Sequence, residues 1–302
     1  MGLKNLSLKD KKLFDEFLKR EEHGLSVYAF ENIYIWKGLF DISWDIIADC
    51  LCVFFKDDFG VFLYLPPLGN CRAAKTAQEA FKIMDTSNKN KEASRIENLE
   101  ASHIESYRIL GYDCVQKSHD YVCKRSDLAA LRGNKFKSQR ASFNYFVKRY
   151  DFEYLTFSRR YAEECLKLYE RWMKMRKAAN PDYIYQAMML DSRNSLRNAL
   201  RHCRELNFKG AVVKVDRKIK GFTIGYELHK DTFCILYEIT DLSVKGLAQF
   251  IFAKFCSELN RYQYINIMDD SGLENLKKTK LSYHPLKLVP AYIAKRRNGQ
   301  RY

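Results

Sequence analysis

Gly210-Ala211-Val212-Val213-Lys214-Val215, Ile219-Lys220-Gly221-Phe222-Thr223-Ile224-Gly225-Tyr226-Glu227-Leu228 and Thr232-Phe233-Cys234-Ile235-Leu236-Tyr237-Glu238-Ile239 are three β-branched and aromatic runs. Only Asp216-Arg217-Lys218 and His229-Lys230-Asp231 separate them. Such runs, bounded by polar punctuation, read as strands. Connections this short join antiparallel neighbours. Upstream, Cys165, Leu168, Tyr169 and Trp172 form a helical stripe, and a helical pattern continues from Asp191 to Leu206. Downstream, the pattern predicts a helix over Gly246–Asn260, a strand over Tyr264–Met268, a helix near Gly272–Lys278 and an extended segment through Leu286–Val289.

Helices, three meandering strands, then helix, strand, helix, strand is the chain order of a GNAT acyltransferase. The first half mixes early strands with later helices over about the same length. Ser7-Leu8-Lys9-Asp10 is a capping box ahead of Leu13, Phe14, Phe17 and Leu18. Ser26–Trp36 and Cys50–Leu65 read as strands, Thr76-Ala77-Gln78-Glu79 as a second capping box, and 86–95 as a loop. A helix over Ser102–Leu110 ends at Gly111, and a strand covers Asp120–Cys123. The expected fold is therefore α/β (α+β), with two tandem GNAT-like domains and mixed, largely antiparallel sheets. The expected boundaries are 1–131 for a degenerate first domain, 132–150 for a basic linking helix, and 151–302 for the domain that carries chemistry.

Composition sets limits on function. A chain of 302 residues, 47% of them hydrophobic, can build two cores. No run of about 18 apolar residues is present. The longest apolar stretch, Ile46–Phe55, is interrupted by Asp49 and has the length of a strand. Nine cysteines without framework spacing, Cys50, Cys52 and Cys71 among them, read as reduced thiols in a cytoplasmic protein. No Cys or His pair has metal-ligand spacing, so no metal and no resident cofactor are expected. A net charge of +15 favours polyanionic partners. Arg132, Lys135, Lys137, Arg140, Lys148 and Arg149 crowd one segment whose other face holds Phe136, Phe143, Phe146 and Val147.

Two segments carry candidate chemistry. In the first, Tyr237-Glu238-Ile239-Thr240-Asp241-Leu242-Ser243-Val244-Lys245-Gly246, a strand runs through a turn into a helix. A glycine there lets backbone approach a ligand, and a helix N-terminus attracts an anion. In GNAT enzymes this junction holds the pyrophosphate of coenzyme A, so Lys245 and Gly246 are candidate contacts. In the second, Asn266-Ile267-Met268-Asp269-Asp270-Ser271 ends a strand where GNAT strands part. Carboxylates there bind an ammonium group or accept a proton. The plain alternative for Asp270 and Ser271 is to cap the next helix.

Asp270-Ser271-Gly272-Leu273-Glu274-Asn275-Leu276-Lys277-Lys278 and Lys280-Leu281-Ser282-Tyr283-His284-Pro285 resemble the C-terminal signature of the phosphatidylglycerol lysyltransferase C-terminal domain family. Tyr121-Val122, Ser126–Lys135 and Arg140 are similar to its middle signature, and Gly221-Phe222-Thr223-Ile224-Gly225 to its central strand. The resemblance implies tandem GNAT-like domains of bacterial type, an active cleft in or beside the second, and aminoacyl-tRNA as donor. Glu238, Asp241 or Asp269 would then accept the proton of an attacking nucleophile. Lys280 and Tyr283 would stabilise the oxyanion and protonate the leaving ribose hydroxyl. Lys137 and Arg140 would hold donor phosphates, with Asn266, Asp270 and Ser282 as further substrate contacts. The acceptor would be a small molecule, a peptide or an anionic lipid headgroup. Two alternatives stand beside this reading: acyl-coenzyme A as co-substrate, and a GNAT pair that binds RNA without catalysis.

Overall fold

The structure is a computed structural model and describes residues 2–69 and 73–297. Cys71, counted above among the thiols, lies outside them. The chain divides into two compact units. The first holds residues up to Asp120, together with Asp269–Gly272 and the chain from Leu288 onward. The second holds Tyr121–Met268 and Leu273–Lys287.

The chain opens with β1 (Lys4–Asn5), α1 (Lys11–Leu18), α2 (Phe30–Ile35), β2 (Asp41–Ile47), β3 (Cys50–Lys56) and β4 (Val61–Leu63). It continues with α3 (Ala73–Ser87), β5 (Ile96–Glu100), α4 (Ile104–Ile109) and β6 (Tyr112–Lys124). The last four residues of β6, Tyr121–Lys124, belong to the second unit. That unit adds α5 (Arg125–Ala130), α6 (Lys137–Arg149), β7 (Phe152–Thr156), α7 (Ala162–Ala179) and α8 (Tyr183–Arg201). Then come β8 (Lys209–Val215), β9 (Lys218–His229), β10 (Thr232–Thr240), α9 (Leu247–Glu258), β11 (Tyr264–Asn266) and α10 (Glu274–Leu281). The chain closes with β12 (Lys287–Arg296).

In the first unit β1, β2, β3 and β4 pair antiparallel in series, β4 meets β5 in parallel, and β12 pairs antiparallel with β5. β12 thus stands between β5 and β6 in the sheet order. The Ser7 capping box forms as read, with the Ser7 N–H donating to the Asp10 carboxylate over 2.7 Å. Two expectations change. Ser26–Trp36 is not a strand, because Phe30–Ile35 is a short helix buried on every side and so lacks a polar stripe. Ile46–Phe55, of strand length and interrupted by Asp49, divides at that break into the end of β2 and most of β3, joined by a turn at Ala48 and Asp49, both with positive φ. Thr76 lies one turn inside α3 rather than at its start. Among the described residues seven cysteines are free.

In the second unit β7, β8, β9 and β10 form an antiparallel meander, as the three opening runs require. β11 lies parallel to β10 on one side and antiparallel to the end of β6 on the other. The helix α9 is apolar nearly all round and is sandwiched. Its N-terminal part (Leu247, Phe250, Ile251) packs with Phe146, Val213 and Val215, and its C-terminal part (Phe252, Phe255, Cys256) with Tyr121, Ala211, Phe233 and Tyr283. α7 and α8 form an antiparallel pair linked by Asn180-Pro181-Asp182, and the Asp182 carboxylate caps α8 by accepting from the Tyr185 N–H over 2.7 Å.

Candidate active site

The second unit's sheet is locally incomplete. β10 and β11 pair only over Thr232–Cys234 and Tyr264–Asn266. Beyond Asn266 the chain leaves β10 and follows β6: Ile267 N–H donates to Tyr121 O (2.9 Å) and Tyr121 N–H to Met268 O (3.1 Å). Met268 takes a positive φ of 62°, and its N–H donates to the Asn266 side-chain oxygen over 2.7 Å, which fixes the departure. The second half of β10 therefore has no neighbour on that side among the described residues. Glu238 sits there.

Glu238 is partly buried and has no hydrogen-bond or ion-pair partner among the described residues. Burial alone pushes its carboxyl up to about 8. Its cross-strand neighbour is Thr223. Residues directly opposite on antiparallel strands share a face. The Thr223 hydroxyl is buried and likewise unpartnered. On the same side stands Tyr283, whose ring lies 4.3 Å from that of Phe252 on α9. Burial, and then the Glu238 charge, push its phenol well above the usual value, so it stays protonated. The adjacent Tyr237 points elsewhere and donates to Ser192 O on α8 over 3.0 Å.

Lys280 is buried below this group. Its ammonium donates to the Ile267 carbonyl and lies 5.9 Å from the centre of the Tyr121 ring. The lysine thereby holds the segment that has just parted from β10. The structure thus brings Glu238, Tyr283, Lys280 and Asn266 into one region of the second unit.

The other expected site residues lie in different settings. Asp241 is bound by Lys220 (2.7 Å) and by the N–H and hydroxyl of Ser243 (3.0 and 2.6 Å). Burial raises its carboxyl, but these partners outweigh that and hold it at about 2. So acidic a carboxylate is a weak base. Its pair contributes stability above the unfolded value near 4 and loses it as pH falls through about 2. Asp241→Asn is expected to cost about 1 kcal/mol at pH 7, discounted for partial exposure, and only a small part of that at pH 2. Denaturant melts at the two pH values check this.

Asp269 and Asp270 belong to the first unit, where Asp269 acts electrostatically on the Tyr64 phenol. Asp270 accepts from the Gly272 N–H (2.9 Å), and Leu273 rather than Asp270 or Ser271 is the cap of α10. Ser282 donates to Thr279 O (2.7 Å) and accepts from Gln139 (2.7 Å). Arg140 donates to Leu131 O and to Gly133 O, the latter over 3.1 Å, and so closes the left-handed turn after α5. Lys137 is exposed at the start of α6, and Lys245 lies 4.9 Å over the Tyr145 ring.

Gly246 has φ 83° at the N-cap of α9, and a Cβ there would overlap the Ser142 carbonyl oxygen of α6. Its freedom is used for helix packing. Among the described residues no three His, Cys, Asp or Glu side chains gather as a metal site. Sequence reading missed Thr223. The signal was present in the register, since the same antiparallel meander that places Glu238 also places Thr223 across from it.

The family model described as "Phosphatidylglycerol lysyltransferase, C-terminal" matches residues 19–295. A conserved protein of unknown function from Bacteroides thetaiotaomicron is 26% identical with a TM-score of 0.87, covering 98% of this chain and 100% of its own. L-PGS from Bacillus licheniformis is 15% identical with a TM-score of 0.64, covering 96% and 93%. A tandem GNAT protein from the clavulanic acid biosynthesis pathway is 8% identical with a TM-score of 0.50, covering 99% of each. The last two likenesses concern fold, and they bear out the tandem GNAT-like class. No match was found among curated proteins. The chain belongs to the phosphatidylglycerol lysyltransferase C-terminal domain family.

Proposed function

We propose that this protein is an acyltransferase that moves an aminoacyl group from aminoacyl-tRNA to an amine or hydroxyl acceptor, with its chemistry where β10 and β11 part. The observation that carries the reading is Glu238, an unpartnered, partly buried carboxyl held at about 8 beside a gap in the sheet. A general base works best when its pKa lies near the operating pH.

In this scheme the acceptor's nitrogen or oxygen attacks the ester carbonyl and gives its proton to Glu238. The new bond to the acyl carbon forms, the ester C–O bond breaks, and Glu238 returns the proton to the leaving ribose oxygen. Tyr283, kept protonated, supplies a hydrogen bond to the developing oxyanion. The Thr223 hydroxyl is a buried donor with no competing partner and serves to orient the substrate. Lys280 adds positive charge near the site and fixes Ile267.

An aminoacyl ester is preferred over acyl-coenzyme A because Gly246 faces a main-chain carbonyl, which is a poor neighbour for pyrophosphate. Excess Lys and Arg, giving +15 overall, favour a nucleic-acid donor.

The test offers the purified protein a labelled charged-tRNA pool and labelled acetyl-coenzyme A, with cell extract as the source of acceptor. The reading expects label to leave tRNA for a new product faster than spontaneous hydrolysis. Label leaving only coenzyme A would move the protein to the ordinary GNAT reaction. Tyr283→Phe, which keeps the stack on Phe252, is expected to lower kcat about 100-fold with KM little changed. Steady-state transfer kinetics check it, and an unchanged kcat removes Tyr283 from the scheme.

A further inference from the structure

β10 changes character halfway along. Thr232–Cys234 lie between β9 on one side and β11 on the other, and these residues and Ile235 are buried. Leu236, Tyr237 and Glu238 are partly exposed, although β10 is an inner strand and β9 still lies beside it. The register slips at the same place. Ile235 opposes Gly225 and Tyr237 opposes Ile224, so Leu236 is an extra residue with no cross-strand partner. Such a bulge bends its strand, and bulges gather beside active sites.

Along a strand, alternate main-chain N–H and C=O groups point to either side. Those of Leu236–Thr240 that point away from β9 meet no strand among the described residues, because β11 pairs only as far as Asn266. Unpaired main-chain groups out of water are costly, and an open edge is a template for another strand. The opening is roughly 16 Å long at the rise of a strand. Glu238 stands at its middle. Beside Glu238 on β9, Thr223 is 0% exposed, and its hydroxyl has no partner among the described residues. A buried polar group of this kind points to a ligand that supplies the missing hydrogen bond.

We propose that the open edge of β10 takes a short peptide as an added strand, and that the N-terminal amine of this peptide is the acceptor. The inference rests on the transfer reading above and names its acceptor class. Strand addition draws its affinity from main-chain hydrogen bonds. A peptide offers these at each residue, whereas a lone amine or hydroxyl does not. The α-amine also suits the base. It ionises at about 8, and Glu238 is held at about 8, so a proton passes between them at little cost. A lysine amine, at about 10.4, holds its proton more tightly. In the reaction the neutral α-amine nitrogen bonds to the acyl carbon and the ester C–O bond breaks. The proton lost by nitrogen passes through Glu238 to the ribose oxygen. The products are uncharged tRNA and a peptide one residue longer at its N-terminus.

The experiment offers the full chain a labelled charged-tRNA pool, with random tripeptides bearing free N-termini as acceptors. The controls are the same tripeptides N-acetylated, the same tripeptides with an N-methylated central residue, and ethanolamine as an amine without amides. Label is expected in tetrapeptides, at least tenfold less with the N-methylated set, and at background with the other two. Binding is read separately by amide hydrogen exchange. Saturating N-acetylated tripeptides are expected to slow exchange within Leu236–Thr240 at least tenfold, in wild type and Glu238→Gln alike, while transfer falls in Glu238→Gln. Protection without transfer from tRNA to any acceptor supports the peptide site and overturns the transfer reading. Transfer to a product in cell extract, with neither label nor protection from tripeptides, keeps that reading and overturns the peptide acceptor. Equal transfer to ethanolamine, or protection by coenzyme A and not by tripeptides, also overturns it.

Discussion

Glu238→Gln is expected to lower kcat/KM for aminoacyl transfer by about 100- to 10,000-fold, the range for removing a positioned general base. The amide keeps the shape of the side chain but cannot take the acceptor's proton. The same substitution is expected to stabilise the fold. The unfolded carboxyl ionises near 4.5, whereas burial holds the folded one at about 8. Ionisation between those values favours the unfolded chain, so wild-type stability falls as pH rises through that window. Glu238→Gln escapes this penalty. It is expected to be more stable than wild type by about 2 kcal/mol at pH 9, roughly half the full linkage value because the site is partly exposed, with no difference below pH 4. A variant that is more stable and less active marks a group placed for function at a cost to stability. Transfer kinetics and chemical denaturation at the two pH values check both halves.

Gly246→Ala is expected to cost about 3 kcal/mol or more. A non-glycine residue at φ 83° is strained, and the added methyl would overlap the Ser142 carbonyl. The obstacle is main chain, so Ser142→Ala gives no relief. The expected readout is a fall in melting temperature of about 6–12 °C, the scale for a domain of this size. This separates two roles for the residue. A glycine kept for an anion would lose ligand affinity while the fold stayed intact. A glycine kept for the α6–α9 approach loses the fold first.

Legibility differed between the units for physical reasons. β8, β9, β10 and α9 fall within a residue or two of the runs read from sequence, because strands with polar hairpin turns keep period and punctuation together. The helix at Phe30–Ile35 is buried all round, and periodicity does not separate such a helix from a strand. Asp41-Ile42-Ser43-Trp44-Asp45-Ile46 alternates and forms most of β2. That β12 pairs with β5 is a long-range contact with no local signal. At the proposed site, Glu238 is read from sequence near the end of a strand and Tyr283 just after a helix. What was not legible is which carboxylate is neutralised. Asp241 is three residues from Glu238 and differs only in having Lys220 and Ser243 within reach. That difference sets one carboxyl at about 2 and the other at about 8.

The most direct test of the account is the pH dependence of kcat/KM for transfer from charged tRNA, measured for wild type and Glu238→Gln. The account predicts that the wild-type rate rises with pH and levels off above an inflection near 8, set by the Glu238 carboxyl. It also predicts that this inflection is missing from the residual activity of Glu238→Gln. A wild-type profile that is flat through this range, or an inflection that persists in Glu238→Gln, would contradict the assignment of Glu238 as the base.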